Sequence, residues 1–141
     1  MSAAVAVAVA LTFVWLGMVL AISFLEAPLK FRAPGVTLPI GLGIGRLVFR
    51  ALNGVEVILA AGILAAIGAG SPSASAIAAT AAAVGLLVAQ LALVRPRLTR
   101  RSDAVLAGQG APRSHAHYAY VALEAAKVIA LIVSGILLLA R

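Results

Sequence analysis

The chain has 141 residues, 64% of them hydrophobic and 11% charged, with a formal net charge of +7 and no cysteine. A soluble domain of this length cannot hide so much apolar surface, so a mean hydropathy of +1.16 places the chain among integral membrane proteins. Disulfides, thiolate metal sites and cysteine nucleophiles are excluded, and no stacking aromatics interleave with the arginines as nucleic-acid binding would require.

The positive charge therefore reads as a topological signal and as contact with anionic lipid headgroups. Ala3 to Leu25 is an uncharged apolar run of 23 residues, enough to span a hydrocarbon core of roughly 30 Å. It lacks a basic n-region and exceeds the apolar stretch of a signal peptide, so it is expected to be a first transmembrane helix, about residues 3–25. Glu26 to Gly35 carries charges and two prolines, Pro28 and Pro34, which predict a break and a loop.

Leu38-Pro-Ile-Gly-Leu-Gly-Ile-Gly45 leads into a second helix, about 42–67. Its Gly-x-Gly-x-Gly follows no strand, so a flexible or closely packed start to the helix is expected rather than a phosphate cradle. The opening turns of this helix, Arg46 to Glu56, bring Arg46, Arg50, Asn53 and Glu56 along one broad face of an otherwise apolar segment. A charge near the bilayer centre costs roughly 3 kcal/mol on insertion scales, so Glu56 requires a partner or a function.

Ser71-Pro72 ends that helix, and an alanine-rich third helix, about 74–94, offers a small face for close packing. Arg95, Arg97, Arg100 and Arg101 follow with Pro96, and a short helix is expected near Asp103–Ala107. A fourth helix spans about 115–140. The fold class is thus all-α integral membrane, four transmembrane helices in two hairpins, making one domain over residues 1–141. Loops 1–2 and 3–4 gather Lys30, Arg32, the arginines from Arg46 to Arg101 and Arg113, whereas the opposite side has only Arg141. The positive-inside rule then puts both termini outside the cytoplasm, most simply in a bacterial inner membrane.

The halves match at an offset of 68, where Gly17 meets Gly85, Pro28 meets Pro96, Arg32 meets Arg100 and Glu56 meets Glu124. A parallel internal repeat with a site at its interface is one reading; chance alignment is the other. Glu56 and Glu124 are each placed about nine residues in from the basic end, roughly 14 Å deep. His117, Tyr120, Glu124, Lys127 and Ser134 share a stripe that cannot face lipid.

Two readings of this stripe stand side by side. In one, Lys127 pairs with Glu56 or Glu124, with Asn53, Tyr120 and Gln90 completing a structural cluster. In the other, Asn53, Glu56, Tyr120, Glu124 and Lys127 form an ion or solute site fed by a basic mouth of Arg46, Arg50, Arg95, Arg97, Arg100 and Arg101. An enzyme site is the least favoured, and no catalytic residue, metal ligand set or cofactor is expected. His115 and His117 diverge by about 200° on a helix and cannot grip one metal together. Trp15 is expected to pack against another helix.

Ala27-Pro28-Leu29-Lys30-Phe31, Gly45-Arg46-Leu47-Val48-Phe49 and Pro96 with its trailing arginines resemble the four-helix family related to transmembrane protein 205. The resemblance implies the four-helix fold and no settled activity. The expected function is transporter- or channel-like handling of an ion or small solute, in a homo-oligomer because one chain makes a thin bundle. The alternative is a non-catalytic accessory or assembly subunit of a membrane complex.

Overall fold

The structure, a computed structural model, describes residues 1–109 and 115–140. Arg113 and Arg141, which entered the charge balance, lie outside the described residues. Four helices are long and apolar enough to cross a membrane, and no strand occurs among the described residues. We label them α1 (Ala3–Arg32), α2 (Leu38–Ala69), α3 (Ala74–Leu106) and α4 (His115–Ala140). The protein is a multi-pass, all-helical membrane protein.

Hydroxyl caps set three of the starts. Ser2, Thr37 and Ser73 accept from the backbone N–H groups of Val5, Ile40 and Ala76 respectively, satisfying donors that a helix start leaves orphaned. Pro39 then sits in the first turn of α2, where its missing N–H is not needed. Helix α2 accordingly begins about a turn before the expected residue 42. Glu56 therefore lies further from its own helix start than Glu124 does.

The prolines required a larger correction. The sequence predicts a break at Pro28 and a third helix closed near residue 94 by the basic run around Pro96, yet α1 continues to Arg32 and α3 to Leu106. Each proline is preceded by a π-helical stretch, Leu20–Glu26 in α1 and Gln90–Val94 in α3. There the N–H of Ala27 donates to the Ile22 carbonyl, and that of Arg95 to the Gln90 carbonyl. Widening the turn by one residue accommodates the ring that would clash with the preceding turn of a regular helix. The chain breaks only later, at Ala33–Thr37, where Gly35 takes a positive φ of 81°.

Helix α1 packs along α2, α3 along α4, and α1 also along α4. Residue pairs from opposite chain ends meet: a Cβ on Gly70 would touch Val5, and one on Gly45 would touch Lys30, so α1 and α2 are antiparallel. Thr80 bonds Ser134 at 2.7 Å and Gln90 reaches Glu124 at 3.2 Å, so α3 and α4 are antiparallel too.

Packing is polarised along the bundle. Trp15, Leu16, Ile63, Leu87 and Leu131 form the central apolar core, and Val5, Ala8, Ala66, Ala76 and Leu138 a second one towards the uncharged end. Across the bundle the usual pattern is reversed, with large apolar side chains such as Ile58, Leu93 and Ile129 turned outward. Glu56, Glu124, Lys127, Gln90, Thr12, Thr80 and Ser134 are buried. That distribution suits a hydrocarbon surround, which solvates leucine well and carboxylates badly.

Candidate functional site

Lys127 is the hub of the buried polar residues, with no exposed surface. Its Nζ lies 2.5 Å from Glu56 Oε2, 2.6 Å from Glu124 Oε1 and 2.8 Å from Gln90 Oε1. A lysine ammonium has three N–H donors, and these three oxygens account for all of them. Trp15 Nε1 donates to Glu56 Oε2 at 2.7 Å, and Ser23 Oγ donates to Glu124 Oε2 at 2.6 Å. Gln90 Nε2 donates to Glu124 Oε1 at 3.2 Å. All four helices thus contribute to one cluster: Trp15 and Ser23 from α1, Glu56 from α2, Gln90 from α3, and Glu124 and Lys127 from α4.

The π-helical stretches position two members of this cluster. Ser23 lies within the widened turn of α1, and Gln90 opens the widened turn of α3. Both reach Glu124, at different carboxylate oxygens. A π-turn rotates the residues that follow it relative to a straight α-helix. Pro28 and Pro96 therefore act at a distance on the carboxylate, by requiring the turns that carry its hydrogen-bond donors.

The cluster is not symmetric in its satisfaction. Both Glu124 oxygens accept hydrogen bonds, whereas Glu56 Oε1 and Asn53 Oδ1 are buried with no partner among the described residues. These two oxygens lie one turn apart on α2, at a spacing that shares a helix face.

Towards the basic end the cluster adjoins a cavity of about 540 Å³ that all four helices line. Glu124 and Ser23 line it, as do Lys30, Arg46, Arg95, Arg101 and His117, with Phe24, Phe31, Phe49 and Tyr120 among the other residues of its wall. Gly41 and Gly45 shape this wall. A Cβ at Gly41 would overlap the Phe31 ring, and one at Gly45 would press on Lys30 Nζ at 3.1 Å, whereas Gly43 faces open space. Of the flexible and the closely packed starts expected from the glycine run, Gly41 and Gly45 make the closely packed one, a groove that receives the last turn of α1.

No protein-family model, curated protein or solved structure matches the chain. The site is therefore argued from its own chemistry. Of the residues singled out in the sequence, Glu56, Glu124 and Lys127 meet directly. Asn53 and Tyr120 are buried nearby, with Tyr120 packed edge-on against Phe49 at 6.0 Å.

The arginines separate into distinct surroundings. Arg46, Arg95 and Arg101 line the cavity, and Arg46 pairs with Asp103 at 2.7 Å. Arg50 and Arg100 lie exposed, outside the lining, and Arg97 lines a separate small hollow beside His115. Among the described residues no group of three or more His, Asp or Glu is placed to hold a metal ion.

Three contributors were not assigned to the site from sequence. Trp15 does pack in the core, but its indole N–H also serves Glu56; a tryptophan in mid-span needs an acceptor, and that signal was present. Lys30 read as a loop charge because Pro28 read as a helix end. Ser23 gave no signal, since its inward aim depends on the π-turn.

Proposed function

We propose that this protein is a small transporter- or channel-like membrane protein, working as a homo-oligomer, in which an ion or small solute is handled at the Glu56–Lys127–Glu124 cluster. The observation that carries the reading is the position of Glu124. One carboxylate is both a ligand of buried Lys127 and a wall of the cavity, so a solute in the cavity meets the intramembrane charges directly. In this reading the cavity is the way in, and the cluster is a closed gate whose ion pairs must be exchanged before anything passes.

The remaining topology belongs to the same proposal. The helices form two hairpins, with the basic end in the cytoplasm and both termini outside, in a bacterial inner membrane, and kinship with the transmembrane-protein-205-like family is proposed with them. An internal repeat is supported by the two widened turns, because Ala27→Ile22 and Arg95→Gln90 hydrogen bonds coincide at the same offset of 68 as Glu56 and Glu124. Anionic lipid headgroups are the proposed neighbours of the exposed arginines.

The test is flux in reconstituted vesicles, with small inorganic cations, inorganic anions and small organic anions offered in turn. Wild type is expected to pass at least one class above protein-free vesicles, and Glu124→Gln to lose most of that flux while keeping its fold. Flux that ignores Glu124→Gln, or no flux of any class, defeats the reading.

A second reading, an accessory or assembly subunit, is favoured by one observation: Lys127 already bonds Glu56 and Gln90 and pairs with Glu124 inside the chain. A cluster so closed serves well to fix helix register. That reading expects no flux and a stable complex with another membrane protein after mild extraction.

A further inference from the structure

The cavity above Glu124 is lined by cationic side chains resting on aromatic rings and by Tyr120, whose buried hydroxyl has no hydrogen-bond partner among the described residues. The Arg95 guanidinium lies 5.3 Å from the centroid of Phe49 and 5.8 Å from that of Tyr120, and no carboxylate pairs with it among the described residues. Near the same Phe49 ring, Lys30 Nζ lies 5.8 Å from the centroid, and 5.6 Å from that of Phe31. Among the described residues the one carboxylate paired with Lys30 is Glu26, at 3.8 Å, which is too long for a hydrogen bond. Tyr120 is 93% buried and its hydroxyl has no hydrogen-bond partner among the described residues.

Each of these features points to the same missing chemistry. Cation–π contacts hold a guanidinium less strongly than a bidentate carboxylate or phosphate does, so an arriving oxyanion draws Arg95 off its rings. A buried phenol hydroxyl without a partner is costly, and an oxyanion beside Arg95 would supply the acceptor. Apolar side chains, including Phe24, Phe31, Leu42, Leu98 and Val121, make up much of the remaining wall. A bare inorganic ion would lose its hydration against them without covering them. At about 540 Å³ the space matches a small organic molecule rather than a lone ion.

We infer that the cavity is a binding site for an amphiphilic anion, a carboxylate or phosphate group carried on a compact apolar body. Arg95 and the Tyr120 hydroxyl hold the oxyanion, Lys30 supplies the second positive charge, and the phenylalanines enclose the body. The inference deepens the transport reading by naming the solute class. It is separable from that reading, since binding without flux would leave the site standing and remove only transport.

The same chemistry is offered by a soluble organic anion and by the headgroup of an anionic lipid, and the experiment distinguishes them. The full chain is placed in phosphatidylcholine nanodiscs and titrated calorimetrically with 2-naphthoate. The neutral 2-naphthylmethanol tests the charge, and inorganic phosphate tests the body. Naphthoate is expected to bind at least roughly tenfold more tightly than either control, as loss of a charge-assisted hydrogen bond implies.

Arg95→Gln is expected to weaken naphthoate by roughly tenfold or more, and Tyr120→Phe by several-fold with thermal stability retained. Tyr120→Phe keeps the ring that Phe49 and Arg95 face, so the test survives an Arg95 variant that fails to fold. Adding phosphatidylglycerol decides the source: competition with naphthoate identifies a lipid headgroup as the resident anion, and its absence a soluble one. The inference is overturned if the neutral alcohol binds as tightly as naphthoate, or if the Tyr120→Phe variant binds naphthoate like wild type.

Discussion

Lys127 and Glu56 form a close pair, yet replacing one is not equivalent to replacing the other. Lys127 feeds three acceptors at once, and Lys127→Met would strand two carboxylates and the Gln90 carbonyl away from water. Removing one partner of a buried ion pair costs about 3–5 kcal/mol. Glu56→Gln retains an oxygen to accept from Trp15 and Lys127, and places its amide at Oε1, which accepts nothing, on the helix face that also carries the unpartnered Asn53 Oδ1. The expected order of thermal stability in detergent is wild type close to Glu56→Gln, with Lys127→Met well below. Equal unfolding temperatures for all three would show that the cluster is not energetically coupled. The meeting of Glu56, Glu124 and Lys127 was legible from helical spacing, because charge inside a membrane has few places to go. Gln90 was legible as a member of the same cluster, but Ser23 was not, since its aim is set by turn geometry that no periodicity encodes.

At the scale of the helices, the prolines were the misleading signal and the glycines the informative one. Pro28 read as a helix end because proline removes a hydrogen bond and its ring collides with the preceding turn, and the basic run around Pro96 read as the close of α3. Inside a membrane, where an unpaired carbonyl is expensive, widening the turn keeps the neighbouring backbone bonded and the helix continuous. That substitution of a π-turn for a break shifted two helix boundaries and left Lys30 on a helix instead of a loop. Gly41 and Gly45, by contrast, do the close packing their spacing suggested. Gly41→Ala would drive a methyl into the Phe31 ring and push that ring toward the cavity, a steric conflict of about 1–3 kcal/mol. Gly43→Ala meets no neighbour and exchanges a flexible residue for a helix former, a gain of about 0.5–1 kcal/mol. Thermal unfolding of the two variants should therefore move in opposite directions. Matching shifts would mean that the glycine run is mere flexibility and the groove for α1 is incidental.

For the whole molecule, the membrane class followed from composition, because a chain this apolar has no soluble alternative, and the four long helices from the apolar runs between its polar loops. Its orientation rests on different physics, the asymmetry of lysine and arginine between the two ends. Among the described residues every arginine and lysine except Lys127 lies towards one end of the bundle, from Lys30 and Arg32 in the last turn of α1 through Arg101 in the extension of α3. Translocating such a cluster across the membrane is opposed both by the positive-inside bias and by attraction to anionic lipid on the cytoplasmic leaflet. Single cysteines introduced into this naturally cysteine-free chain make the test clean, since no background thiol reacts. Ser102 lies in the basic extension of α3 and lines the cavity, whereas Ser73 is the exposed hydroxyl cap at the opposite end of the same helix. In intact cells a membrane-impermeant thiol reagent should label the Ser73→Cys variant from outside. The Ser102→Cys variant should label only after the inner face is opened. Labelling in the reverse order would invert the bundle, turn the basic cavity outward, and make it a receptor for extracellular anions rather than a cytoplasmic vestibule.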